Sequence, residues 1–149
     1  MGDGALRAIG GLETIGSVIE GLSARGGRPA LVAFAEQGVE IRSYRELAER
    51  VRLLARGLCG IGVKRGDHVA IVCGNGPEWV AACLAVISAG AVIVPVDVQA
   101  GDDALGHVLD DSGAGHVFTT ANQAVRLEQL EKAMQSRLIL LDGDEEDPR

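Results

Sequence analysis

Apolar residues along this chain switch repeatedly between a helical period and a strand-like one. Over residues 14–24, Ile15, Val18, Ile19 and Leu22 fall on one helical face, which predicts a short amphipathic helix. Pro29 closes that stretch, and the apolar runs 30–34 and 39–42 flank Gln37-Gly38 as the arms of a hairpin. Ser43-Tyr44-Arg45-Glu46 fits a capping box, in which the serine hydroxyl accepts from the Glu46 amide and the Glu46 carboxylate accepts from the serine amide. Leu47, Val51, Leu54 and Leu58 then hold one helical face, charges hold the other, and Gly60 and Gly62 end the helix. Arg45 with Glu49 and Glu46 with Arg50 are spaced for i,i+4 ion pairs, each about 0.2–0.5 kcal/mol.

From there strands and helices alternate. Residues 69–73 read as a short apolar strand, 77–89 as a helix with Pro77 in its first turn, and 91–96 as a strand. A helix over 102–112 carries acids at its positive end and Gly113 after its last residue. Residues 116–119 form the next strand. Thr120-Ala121-Asn122-Gln123 reads as a second capping box, opening a helix to about Gln135, and 138–141 is a last strand. Near-continuous apolar strands alternating with helices predict an α/β fold: a mostly parallel sheet flanked by helices on both faces, preceded by a short helix and a hairpin. Residues 1–141 make one domain, and the charged stretch 142–149 reads as an acidic linker and a truncation point.

Residues 79–96 form an 18-residue run without charge, close to the length of a membrane-spanning helix. Ser88-Ala89-Gly90 interrupts it, and the β-branched stretch after Ala91 ends in Pro95, so helix, turn and buried strand fit better than a span. Residues 79–87 offer no polar face, and a helix apolar all round must be covered on every side. A sheet covers one side; the expected cover for the other is a further part of a longer protein or a second copy, as a homodimer.

At 149 residues the chain has the length of one domain, able to bury roughly 70% of its unfolded surface. Aromatics are 3% of it, which predicts a core of Ala, Val, Leu and Ile. A net charge of −7 argues against nucleic acid as a partner, because phosphate contacts need clustered Lys and Arg. Lys64-Arg65 and Arg50, Arg52 and Arg56 are interleaved with acids and read as a solvated face. Cys59, Cys73 and Cys83 form no Cys-x-x-Cys pair and read as buried, reduced thiols of a cytoplasmic protein. Met1-Gly2-Asp3-Gly4 lacks the basic region and apolar run of a signal peptide.

Gly74-Asn75-Gly76 stands between a strand and a helix, and Asp97 lies 21 residues past Gly76. That spacing mimics a dinucleotide fingerprint, in which glycines admit a pyrophosphate and an acid holds the ribose. Trp79 occupies the third glycine position, however, and Pro77 removes an amide that a phosphate would use. The chain has no Gly-x-x-x-x-Gly-Lys-Ser/Thr loop and no Gly-x-Ser-x-Gly elbow. His68, His107 and His116 stand at no metal-ligand spacing, and Asp110-Asp111 read as surface acids. No catalytic residue and no metal site is assigned.

The order of segments is itself a signature. Ser43-Tyr44-Arg45-Glu46-Leu47 resembles the first block of AMP-forming acyl-activating enzymes: acyl-CoA synthetases, luciferases and peptide-synthetase adenylation domains. Gly62-Val63, Gly66-Asp67, Val69-Ala70-Ile71 and Asn75-x-Pro77-Glu78-Trp79 resemble the stretch after that block. Ala89-Gly90-Ala91-Val92-Ile93-Val94-Pro95 resembles the second block, and Leu109-x-Asp111-Ser112-Gly113-Ala114 the helix end after it. The resemblance runs from about Thr14 to Leu141.

The resemblance implies an N-terminal segment of an enzyme that converts a carboxylate and ATP to an acyl-adenylate and then passes the acyl group to CoA. It implies ATP, Mg and CoA for the full-length parent, and none held firmly by this segment alone. The ATP loop, adenine block, ribose-binding Asp and catalytic Lys of the family lie past residue 149, so the segment alone is expected to be inactive. Ser88 replaces the Lys that peptide-synthetase versions place before their Ala-Gly, and Asp97-Val98 replaces an Asn-Pro common in acyl-CoA synthetases. A long-chain fatty-acid–CoA ligase is the member most resembled, with fatty acid as substrate, the remainder of the enzyme as partner, and a cytoplasmic or membrane-peripheral location. The family's CoA contacts align with Gln99 to Gly101 and with Ala124-Val125-Arg126, marking Gly101 and Arg126 as candidate cofactor-binding residues, Arg126 for a CoA phosphate. A solvated helix arginine is the alternative for Arg126. For the chain as a whole the alternatives are a standalone binding or scaffold module of the same fold, or a Rossmann-like nucleotide-binding domain.

Overall fold

The computed structural model describes residues 14–35, 38–130 and 136–142. Thr14 caps helix α1 (Ile15–Gly21) by accepting from the Ser17 amide, and α1 continues into a 3-10 turn (Leu22–Arg25) that buries Leu22. Ile15 and Val18, expected on a core-facing stripe, are exposed instead; Ile19 and Leu22 make the inward contacts. Strands β1 (Pro29–Ala35) and β2 (Gly38–Ser43) pair antiparallel around Gly38, as the two apolar runs predict. Their register sets Val32 opposite Ile41 and Phe34 opposite Val39 on an exposed face.

Helix α2 (Tyr44–Gly60) opens on the expected capping box. The Ser43 amide donates to Glu46 Oε2 at 2.7 Å, and the Glu46 amide donates to Ser43 Oγ at 3.3 Å. Leu47, Val51 and Leu58 are buried along the predicted stripe. The two expected i,i+4 ion pairs do not form. Glu46 is committed to its cap, and Arg50 reaches Glu78 on the next helix at 2.8 Å instead. Arg45 and Glu49 are both exposed, where an ion pair contributes little against side-chain entropy.

The main sheet holds β3 (His68–Val72), β4 (Val92–Pro95), β5 (His116–Thr119) and β6 (Arg137–Leu140), all parallel, in the order β4-β3-β5-β6. Helices α3 (Pro77–Ser88), α4 (Asp102–Ser112) and α5 (Ala121–Glu128) connect them. Alternation along β3 divides the core. Val69, Ile71 and Cys73 face Leu58, Ala82, Val86 and Phe118, while Ala70 and Val72 join Leu105, Leu109, Val117 and Leu127 on the opposite side. The fold is the expected α/β arrangement, with helices on both faces of a parallel sheet behind a short helix and a hairpin.

The uncharged run 79–96 resolves into α3, a turn and β4. Gly90 makes that turn possible: its φ is +74°, and a Cβ there would meet Arg65 Cγ at 3.3 Å. Among the described residues no helix is long and apolar enough to cross a membrane. Much of the cover expected from outside for α3 is supplied within the chain. Trp79, Ala82, Cys83 and Val86 pack toward the sheet, while Val80, Ala81 and Leu84 pack against Leu22, Leu47, Ala48 and Val51. No residue from 79 to 87 is exposed, because α1, the 3-10 turn and α2 form the missing layer.

The second capping box is also corrected. Thr120 is the N-cap of α5 by position, but its side chain makes no cap bond. Asp142 accepts the Ala121 amide at 2.8 Å, so a carboxylate from beyond β6 satisfies the helix start. The helix ends at Glu128 rather than near Gln135, and residues 131–135 lie outside the described ones.

The capping box makes a direct prediction. Ser43→Ala is expected to cost about 1 kcal/mol of stability, read as a lower urea midpoint at constant slope. The hydrogen bond from the Ser43 amide, followed by that from its hydroxyl, holds the Glu46 carboxyl below its ordinary value. Its contribution is therefore present above the ordinary carboxylate range and is lost as pH falls through the depressed value, so Glu46→Gln should flatten the acid limb of stability.

Candidate functional site

The chain enters the sheet at its centre with β3, adds β4 on one side, then crosses to add β5 on the other. Such a reversal of winding leaves a crevice outside the carboxyl ends of the strands, where open α/β sheets bind ligands. An open cleft of about 540 Å³ lies at this edge, between Gly74-Asn75 and Trp79 on one side and Asp97, Val98 and Gln99 on the other. Pro77 at the start of α3 fixes the first wall, with Gly76 extended as N-cap and no side chain capping the helix. The second wall leaves β4 through a bond from the Val96 amide to the Ile71 carbonyl, 3.0 Å.

The structure brings Gly74-Asn75 and Asp97 to one cleft, with Gly76 just outside its lining, but commits the acid elsewhere. Asp97 Oδ1 accepts the Gln99 amide at 2.8 Å, and its carbonyl accepts the Ala100 amide at 3.0 Å. This is an Asx turn, a local use of Asp that competes with holding a ribose. Gly101 follows as the N-cap of α4, with open space where a Cβ would stand.

Arg126 is brought to the same turn. From the last turn of α5, its Nε donates to Asp102 Oδ1 at 2.7 Å, its Nη1 to the Val98 carbonyl at 3.0 Å, and its Nη2 to the Ala100 carbonyl. The side chain is 26% exposed, so the solvated-arginine alternative does not describe it. Arg126 and Gly101, marked separately along the sequence, are spatial neighbours around one loop.

A second arginine escapes a reading of the sequence. Arg50, expected on a solvated face, donates from Nε and Nη2 to Glu78 Oε2 and from Nη2 to the Leu141 carbonyl at 3.0 Å. Its partners lie 28 and 91 residues away, so no local spacing could have announced them. His68 Nδ1 lies 2.6 Å from the Ser112 carbonyl, joining the start of β3 to the end of α4. Among the described residues no group of three His, Cys, Asp or Glu could hold a metal ion.

The thiols divide by burial. Cys73 is buried at the cleft and Cys83 is half-buried on α3, but Cys59 is exposed on α2, correcting the expectation for all three. Burial first, then the nearby Glu78 and Asp142 charges, push the Cys73 thiol up to about 11. It stays protonated near neutral pH and is a poor nucleophile.

With fold and cleft described, comparison with known proteins assigns the class. The chain belongs to the AMP-binding enzyme family, whose pattern matches residues 20–149. It is 44% identical over 88 residues to a naringenin synthase of Pestalotiopsis fici, spanning 59% of this chain and 3% of that one. It is 39% identical over 98 residues to a malpibaldin synthetase of Mortierella alpina, spanning 66% of this chain and 2% of that one. It is 36% identical over 110 residues to a long-chain-fatty-acid–CoA ligase of Salmonella typhimurium, spanning 72% of this chain and 19% of that one. The fold is that of a fatty acyl-adenylate ligase from Legionella pneumophila, solved with acyl adenylate and pyrophosphate, at TM-score 0.81 and 18% identity. That likeness covers 92% of this chain and 25% of the ligase. The chain thus spans a quarter or less of each of these relatives, and they include synthetases of several types.

Thiol chemistry tests the burial pattern. A disulfide reagent at neutral pH should modify Cys59 rapidly and Cys73 only on unfolding; equal rates would contradict the packing around β3. Because the folded Cys73 value is raised, its contribution to stability is complete below the ordinary thiol value of 9.0 and fades as pH rises toward about 11. Cys73→Ser should change the alkaline limb of a stability profile between those values.

Proposed function

We propose that this chain is the N-terminal part of an ATP-dependent acyl-CoA ligase, one that joins a fatty acid to AMP and then transfers the acyl group to CoA. Residues 1–141 form its first α/β subdomain, and 142–149 form the linker toward segments that carry the ATP loop and the catalytic lysine. The observation that carries this reading is the match to the long-chain-fatty-acid–CoA ligase, 36% identity spread over 72% of the chain. Ser88, on the last turn of α3, supports it against a peptide-synthetase parent, since the peptide-synthetase versions of this block usually have Lys at that place.

In this reading ATP, Mg²⁺ and CoA act on the whole enzyme, and none of the described residues is assigned to the adenylation step. The turn from Gln99 to Gly101 and Arg126, where the resemblance puts CoA contacts, lie at the carboxyl edge of the sheet. A CoA phosphate reaching Arg126 would have to displace the Asp102 carboxylate.

Pyrophosphate exchange tests the proposal. The 149-residue chain should give no exchange with ATP and any acid, whereas the longer polypeptide encoded in its reading frame should give exchange with fatty acids. Exchange restricted to amino acids would replace the ligase with a peptide synthetase, and restriction to aromatic acids would move the substrate to that class. A frame that stops at residue 149, with no exchange, would favour a binding module of the same fold.

A further inference from the structure

We propose that Arg126 is a positioning residue: from α5 it clamps the turn between β4 and α4 and so fixes the wall of the cleft that faces Trp79. This inference goes beyond the acyl-activating reading and does not depend on it. The turn over residues 96–101 begins with its own support, since Asp97 holds the amides of Gln99 and Ala100. Its carbonyls at Val98 and Ala100 receive Arg126. A half-buried carbonyl is better stabilised by a fixed donor than by none, so the guanidinium meets a need that the turn creates. Asp102 completes the fork and sits in the first turn of α4, where an acid also complements the helix dipole.

The geometry suits arginine in particular. Two carbonyls of the loop and the carboxylate at the start of α4 are met by donors from Nη1, Nη2 and Nε of a single planar group. A lysine presents one compact ammonium and cannot span the same three positions at once. The guanidinium is thereby engaged within the chain, and an added anion has to compete with Asp102 for it. The wall that the clamp holds includes Asp97, Val98 and Gln99, and the opposite wall includes Trp79, the chain's single tryptophan. Displacement of the turn therefore alters the access of solvent to one indole.

Trp79 fluorescence tests the proposal on the 149-residue chain. Arg126→Gln should raise the acrylamide quenching constant of Trp79 about twofold and speed exchange of the Gln99 and Ala100 amides that Asp97 holds, as expected when a local unit loosens. Arg126→Lys should behave like the Gln variant, because charge without the fork does not hold two carbonyls and a carboxylate. Asp102→Asn, a milder change at an exposed residue, should give a smaller increase and keeps the test decisive where Arg126→Gln does not fold. Inorganic phosphate or CoA at millimolar concentration should leave Trp79 of the unaltered chain unchanged. Three results would overturn the proposal: unchanged quenching and exchange in the folded variants, even with a lower melting temperature; a Lys variant equal to the unaltered chain; or a phosphate-induced or CoA-induced Trp79 change that Arg126→Gln abolishes, which would make Arg126 an anion ligand.

Discussion

Everything in this fold depends on β3 being buried on both faces. Val69, Ala70, Ile71 and Val72 are fully excluded from solvent, which a strand achieves only with strands on both edges and helices above and below. That one constraint recruits β4 and β5 as neighbours and divides the remaining apolar residues into two layers by the parity of their positions. It also explains why α3 is apolar from Trp79 to Ile87. The helix lies between the sheet and a second layer formed by the 3-10 turn and α2, so both of its sides are packed and no residue from 79 to 87 is fully exposed.

Central burial has a chemical consequence at the strand's end. Cys73 leaves β3 while still buried, and the turn after it must leave the sheet within a few residues before α3 begins at Pro77. The cleft exists because α3 and the turn after β4 depart on opposite sides of that point. The charged groups near its walls are largely committed to partners within the chain. Asp97 serves its own turn, Asp102 serves Arg126, and Glu78 serves Arg50. An edge arranged this way is a frame whose groups are held by bonds within the chain, with the Asp97 carboxylate on its wall.

The architecture was legible in the sequence because its determinants are local. The Ser43 and Glu46 cap, the Leu47 to Leu58 stripe and the break at Gly90 each act within a few residues, and each appears as expected. What escaped was the set of polar links joined over long separations. Arg50 with Leu141, Asp142 with Ala121 and Arg126 with Val98 link segments that only the completed sheet brings together. The second capping box failed for the same reason: Thr120 had the right spacing, but Asp142 supplies the bond that caps the helix. The resemblance placed Gly101 and Arg126 at one candidate site, and the structure does set them around one loop. The partners of Arg126, which bear most directly on its role, could not be read from spacing at all.

These long-range bonds share a location, and that location gives them their meaning. Arg50, Glu78, Asp142 and Arg126 all act near the carboxyl edge of the sheet, where β3, β4, β5 and β6 deliver their loops. The apolar core alone would leave those loops free to vary, since it grips strands and helix faces rather than turns. Two arginines supply the missing restraint: Arg50 ties α2 to the start of α3 and the end of β6, and Arg126 ties α5 to the turn before α4. Each is partly shielded from water, so its hydrogen bonds hold geometry more firmly than an exposed pair would. The core determines the fold, and the polar links at one edge determine how precisely that edge can present a surface to a ligand.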